Sequence, residues 1–238
     1  MAQLIDTLLD FLFPTKCLFC ETDLIGTQGI CESCRSSIKF ISSPFCLRCG
    51  VPFNSKIGRD HICGTCLTSK KYFTKARAVG FYEGILQKAI HRFKYSKKTV
   101  LANPLSAFII DYNLDSMDLE SYDFLVPVPL HFKRLKERGF NQALSLARHI
   151  SKRSGIPVDY LNLRRIRWEA PQINLSKKER AQNVKGAFSL HKKNGFKDKN
   201  ILLIDDVYTS GATVNECARV LLKAGTAGVD VVTLCRAV

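Results

Sequence analysis

The sequence predicts an α/β protein, with a parallel sheet covered by helices on both faces and a small metal-held front before it. Three observations carry this. Ile201 to Ile204 is an unbroken apolar run, suited to a strand buried on both faces, and such strands belong mostly to parallel sheets. Asp205 and Asp206 follow, then Thr209, Ser210, Gly211, Ala212 and Thr213, then an amphipathic run with Val214, Cys217, Ala218, Val220, Leu221 and Leu222. Carboxylates are costly inside a sheet, so the pair is expected at its carboxyl edge, where open α/β sheets bind ligands. The small residues after them place a loop of N–H donors on a helix N-terminus, which suits a phosphate. Finally, eight of the ten cysteines form four CxxC pairs: Cys17 and Cys20, Cys31 and Cys34, Cys46 and Cys49, Cys63 and Cys66.

Taken in order, the 238 residues suffice for one α/β core and a small appendage. Leu4, Ile5, Leu8, Leu9 and Leu12 share one face of an opening helix that Pro14 stops. It packs on its own protein or, as the alternative, docks on a membrane surface or partner. Acids stand where a signal peptide carries lysines, and no apolar run approaches the ~18 residues of a membrane span. The reading is a cytoplasmic protein. Each CxxC gap orients two thiolates at one metal, and two pairs complete a tetrahedral Cys₄ zinc site. In a reducing compartment this spacing reads as metal rather than disulfide or redox centre. Adjacent pairing is simplest, giving Cys17/Cys20/Cys31/Cys34 and Cys46/Cys49/Cys63/Cys66, and interleaved pairing stays open. The arrangement resembles a double zinc ribbon, with two structural zinc ions stabilising a front too small to bury a core. Each filled Cys₄ site carries −2, which lowers the formal charge from +15 to +11. Gly50 and Gly64 suit the knuckle turns, His61 is a bystander, and Cys217 and Cys235 are inert buried thiols.

The front ends near Lys71, so residues 1–71 and 72–238 are expected as two units. Ala76 to Tyr82 reads as a strand. A helix follows with Leu86, Ala89, Ile90 and Phe93 inward and Lys88, Arg92, Lys94, Lys97 and Lys98 outward. Pro104 marks the next helix start, continued by Leu105, Phe108 and Ile109. Asp123 to Leu130 is a strand that Pro127 and Pro129 convert into a rigid loop. His131, Lys133, Arg134, Lys136 and Arg138 make the next stretch cationic before a helix with Ala143, Leu146, Ala147 and Ile150 on its inner face. Lys and Arg exceed Asp and Glu by 13 within residues 131–199, which hold nearly the whole net charge. Such a block can serve anionic phosphates or nucleic acid, or be solvated surface.

Ile201 to Val214 closely resembles the motif with which type I phosphoribosyltransferases bind phosphoribosyl pyrophosphate (PRPP). The resemblance implies that Asp205 and Asp206 address the ribose hydroxyls, and that Thr209, Ser210, Gly211, Ala212 and Thr213 wrap the 5-phosphate of a Mg²⁺-bound PRPP. Val126 to Pro129 stands where that family holds pyrophosphate, so Val128, Pro129 and the nearby Arg138 join the implied PRPP site. Ser210 replaces a commonly seen Thr, and Tyr208 an aliphatic residue. The RGFNQ run, Arg138 to Gln142, together with Gln172 to Phe188, is similar to the ComF family of late competence proteins along the full chain. In that comparison Gln172 to Phe188 is the mobile loop that closes over pyrophosphate, with Arg180 and Lys185 as its candidate charges.

The resemblance implies a role in DNA uptake and handling during natural transformation. It would be exercised with a competence helicase at the inner face of the cytoplasmic membrane. One functional class is an enzyme that transfers ribose 5-phosphate from PRPP to an acceptor, within competence or within nucleotide metabolism. The other is a single-stranded DNA-binding module with PRPP as regulator. For that module Lys133, Arg134, Lys136, Arg164, Arg165 and Arg167 are the candidate phosphate contacts, with Phe132, Phe140 and Trp168 among them as stacking surfaces.

Overall fold

The structure, a computed structural model, describes residues 15–24, 29–55, 58–95, 98–113, 117–168, 177–192 and 194–238. The opening helix, and the first part of the Gln172 to Phe188 run, lie outside these residues. The elements are β1 (Thr15–Lys16), β2 (Asp23–Leu24), α1 (Glu32–Ser36), α2 (Gly64–Thr68), β3 (Ala76–Phe81), α3 (Gly84–Tyr95), α4 (Ala102–Asn113) and β4 (Phe124–Pro127). They continue with α5 (Phe132–Arg138), α6 (Gln142–Ser154), β5 (Leu163–Arg165), α7 (Lys177–Val184), β6 (Phe188–Leu190), β7 (Asn200–Tyr208), α8 (Ala212–Lys223) and β8 (Gly228–Arg236).

The main sheet has the order β3-β8-β7-β4, and its strand pairs are all parallel. The apolar run of β7 lies at its centre, and Ile201, Leu202, Leu203 and Ile204 are all buried. Their burial does not alternate because both faces are covered. Leu202 and Ile204 pack with Leu86, Ile90 and Phe93 of α3, Leu105 and Ile109 of α4, and Leu146 and Ile150 of α6. On the opposite face Ile201 and Leu203 pack with Val214, Cys217, Ala218 and Leu221 of α8. Those four residues recur with helical period, and burial of each large one is worth ~1.5–3 kcal/mol.

The strand runs further than the sequence implies. Asp205 and Asp206 lie within β7, which continues to Tyr208. They nevertheless stand where the sheet opens, because β4 stops at Pro127 opposite Ile204 and flanks nothing beyond it. Two further boundaries shift. Pro104 is the third residue of α4 rather than its start, still inside the first turn where a missing N–H costs little. The cationic stretch, to which the sequence assigned no element, is helix α5, with the His131 side chain accepting from Lys133 N–H and Gly139 closing it at φ 81°.

The cysteine-rich front packs on this sheet. Phe81 N–H donates to Lys39 C=O at 3.0 Å and Ile41 N–H to Val79 C=O at 2.9 Å, so residues 39–41 run along the outer edge of β3. Cys17, Phe19, Leu24, Cys34 and Ile38 share the core of α3 and α4. Cys46, Cys49, Cys66 and Phe73 share the core on the α8 side.

Candidate functional site

Two sets of thiols converge, Cys17/Cys20/Cys31/Cys34 and Cys46/Cys49/Cys63/Cys66, with the sulfurs of each set within 4.8 Å of one another. Adjacent pairing is therefore the observed one. Cys17 and Cys34 sulfurs are 3.8 Å apart, Cys20 and Cys31 3.7 Å, and Cys49 and Cys63 3.8 Å. Four thiolates at the usual zinc–sulfur length stand about 3.8 Å apart, so both sets fit a structural zinc ion. Backbone amides converge on the sulfurs too: Cys46 accepts from Cys49 N–H at 3.4 Å and Cys63 N–H at 3.3 Å. Burial pushes the Cys46 thiol up, but these donors outweigh it and bring its pKa to about 6. Cys20 is drawn to about 6 chiefly by the Thr22 hydroxyl, 3.1 Å away. His61 stacks on Phe53 at 4.0 Å outside both sets, and Cys217 and Cys235 are buried away from them.

At the open end of the sheet β7 delivers its acid pair and then turns through residues 209–213 into α8. Gly211 holds φ 73° at the helix N-cap, and a Cβ there would stand 2.1 Å from the Tyr208 hydroxyl. Only glycine fits both the conformation and the space. Thr209 is exposed, whereas Ser210, Ala212 and Thr213 are half-buried around the helix start. Asp206 is buried and pairs with Lys94 at 3.0 Å. Asp205 accepts from Asp206 N–H at 2.9 Å. Burial first, and then the charge of Asp206, raise the Asp205 pKa to about 7.

Lys94 corrects the sequence reading, which placed it on the solvent side of α3. Burial would lower its pKa, but the Asp206 charge outweighs that and holds it above the usual lysine value. The signal was present, since Lys94 stands one turn after Ile90 and two after Leu86, on the apolar stripe. Arg138 also reaches the site. Its charge acts on Asp205, its guanidinium lies 5.3 Å from the Tyr95 ring centre, and its Nη1 donates to Gln142 Oε1 at 3.1 Å. The Arg138 Nε and Gln142 Nε2 atoms are buried without a hydrogen-bond partner among the described residues. The Val128 side chain is buried, its N–H donates to Ile204 C=O, and its C=O accepts from Asn141 Nδ2. Pro129 is half-buried beside it and Lys185 is exposed beyond α7, while the Arg180 side chain lies outside the described ones.

Most of the six basic residues read as nucleic-acid contacts engage rings or carbonyls of the protein itself. Lys133 and Arg134 lie over the Trp168 ring at 5.9 and 5.6 Å, and Lys136 is exposed on α5. Arg165 lies over Phe188, and Arg167 donates to Asn183 C=O at 2.8 Å, so both engage the protein itself. Phe140 is half-buried and packs on Phe93 at 5.4 Å. Arg164 donates to Leu161 C=O at 3.0 Å and, with Arg165, borders an apolar groove of about 630 Å³, lined among others by Pro129, Phe132, Leu135, Arg148 and Tyr160. Phe132 is 58% exposed there and Tyr160 45%. Among the described residues no helix is long and apolar enough to cross a membrane.

Two paired Cys₄ sets against a parallel sheet that ends in an acid pair and an N–H loop define a class: a double zinc ribbon joined to a phosphoribosyltransferase-type domain. Family profiles agree, matching a double zinc ribbon domain over residues 8–67 and a phosphoribosyl transferase domain over residues 137–237. The chain is 34% identical to competence protein F of Haemophilus influenzae, across 94% of this chain and 98% of that one. It is 32% identical to DNA utilization protein YhgH of Escherichia coli K12 over 94% and 97%, and to competence protein ComFC of Bacillus subtilis over 84% and 80%. The chain belongs to the ComF family. Among solved structures, a purine phosphoribosyltransferase from Pyrococcus horikoshii aligns with 56% of this chain and 82% of its own, at 13% identity and a TM-score of 0.36.

Proposed function

We propose that this chain binds PRPP with Mg²⁺ and acts in DNA uptake and handling, as the names of its relatives suggest for them. The carrying observation is the juxtaposition of Asp205 and Asp206 with the loop of residues 209–213, faced by Lys94 and Arg138. In this reading the loop amides and hydroxyls take the 5-phosphate, Asp205 takes the ribose hydroxyls, and Lys94 holds Asp206 in place. Arg138 and Gln142 supply donors toward the pyrophosphate side, with Lys185 and Arg180 closing from the loop before β6. Mg²⁺ bound with PRPP would neutralise pyrophosphate charge. Transfer would form a bond from an acceptor nucleophile to C1 as the C1–O bond breaks, pyrophosphate leaving with the electron pair; positioning and charge stabilisation do the catalysis. Because Asp206 is already paired, Asp205→Asn alone should weaken PRPP by ~1.5–3 kcal/mol, the scale of a lost charged hydrogen bond. Calorimetry checks this, and unchanged affinity would reduce the motif to scaffold. Pyrophosphate release with a panel of bases, amines and oligonucleotides tests turnover.

A second reading, single-stranded DNA binding, is favoured by the groove beside Pro129, where the exposed rings of Phe132 and Tyr160 adjoin Arg148 and Arg164. Bases would stack on the rings while the arginines follow the backbone. Arg148→Ala with Arg164→Ala should flatten the slope of log affinity against log salt by roughly 0.7 per lost phosphate contact. An unaltered slope would move any competence role onto a protein partner.

A further inference from the structure

Residues 209–213 are bracketed by anchors that lead back to the second cysteine set. Upstream, Tyr208 is buried and the Arg236 guanidinium lies 4.3 Å from its ring centre. That guanidinium donates through Nη1 to the Cys49 carbonyl at 2.6 Å, and its Nη2 stands 3.8 Å from the Cys49 sulfur. Arg236 is only 8% exposed. A cation that deep needs compensating charge, and a zinc-bearing Cys₄ site with its net −2 supplies it. The Tyr208 ring in turn backs Gly211, where it leaves no room for a Cβ. Downstream, Asn215 in α8 accepts from Tyr72 N–H at 2.7 Å and donates to Lys70 C=O at 3.3 Å. Lys70 and Tyr72 belong to the segment that leaves Cys66, and Phe73 next to them meets Tyr208 edge-on at 6.4 Å. The first cysteine set grips a different element, through Arg92 of α3 donating to Phe19 C=O at 2.7 Å.

Backbone amides hold a phosphate well only when their loop is already in the binding shape, since ordering it on binding would consume the affinity gained. We infer that the second Cys₄ site positions the phosphate loop, fixing Tyr208 through Arg236 and the start of α8 through Asn215. Arg236 and Asn215 are positioning residues, and neither touches ligand. The inference rests on reading residues 209–213 as the 5-phosphate site.

The test uses the full zinc-loaded chain with ribose 5-phosphate as probe, measuring affinity by calorimetry, zinc content by thiol displacement, and the thermal midpoint. Asn215→Ala removes two hydrogen bonds outside the ligand site and should bind ribose 5-phosphate about tenfold more weakly while keeping two zinc ions. Arg236→Met should weaken it at least as much. Arg236→Lys should recover part of the loss, because an ammonium still donates to the Cys49 carbonyl. Glu21→Gln, beside the first set, is the control and should stay within twofold of wild type. The inference is overturned if Asn215→Ala and Arg236→Met, folded and with both zinc ions, bind within twofold of wild type. It is also overturned if Glu21→Gln weakens binding equally, since the effect is then general loosening. If Arg236→Met does not fold, Asn215→Ala decides. A wild-type chain that binds neither ribose 5-phosphate nor PRPP would sink the phosphate reading itself, a result distinct from equal binding by all variants.

Discussion

Asp205 and Asp206 are neighbours in sequence but lie in different electrostatic settings, because alternate residues of a strand face opposite sides of the sheet. Asp206 has its cation in Lys94, whereas Asp205 has its pKa raised to about 7 from 3.8 by burial and by Asp206. A carboxyl raised in the folded state favours folding when protonated, so its ionisation penalty grows as pH climbs from about 4 to 7. Asp205→Asn should therefore stabilise the chain by at least ~1 kcal/mol at pH 8 and hardly at all at pH 4. Urea midpoints at the two pH values check the sign, and equal effects at both would place the Asp205 titration below this window. The acid pair, Gly211 and the eight metal thiols were legible because each depends on local order or spacing. Lys94, Asn215 and Arg236 were not singled out, because their partners lie far away in the chain. Of these, Lys94 alone carried a local clue, its place on the apolar stripe of α3.

At the scale of elements, legibility followed how much of an element's burial is written into its own period. The run of β7 and the inner faces of α6 and α8 stand where their apolar spacing puts them. Helix α5 was missed because its basic residues masked the caps, His131 before it and Gly139 after it. Strand order was not legible, since β7 and β8 become central only through pairing with β4 and β3. The docking of residues 39–41 on β3 was likewise silent, although Gly80 marks it. A Cβ at Gly80 would stand 2.8 Å from Lys39 C=O and 3.1 Å from Leu86 Cδ2. Backbone on one side and a packed core side chain on the other leave little room to relax, so Gly80→Ala should cost ~1–3 kcal/mol. Chemical denaturation measures it, and a neutral result would show that this edge can move aside.

Over the whole molecule, the two cysteine sets pack on opposite faces of one sheet, and each face owes part of its core to one of them. Zinc binding should thus be linked to the folding of the sheet as well as to that of the front. The magnitudes decide how strongly. A structural zinc contributes an apparent ~10–16 kcal/mol to folding at neutral pH, while a domain of ordinary stability has ~5–15 kcal/mol in all. Loss of either ion is then large against the total. Without metal, Cys34 and Cys66 remain as thiols whose ionisation burial strongly disfavours, and Arg236 loses the anionic site beside it. Chelation should accordingly release two zinc ions per chain and abolish the helical circular dichroism in the same transition, because exposing Cys17, Cys34, Cys46 and Cys66 strips apolar cover from both faces of the sheet. Zinc release and ellipticity followed together against chelator concentration give the answer. A stoichiometry of one would defeat the two-site assignment, and zinc loss that leaves the helical signal intact would show that the sheet is stable without its front.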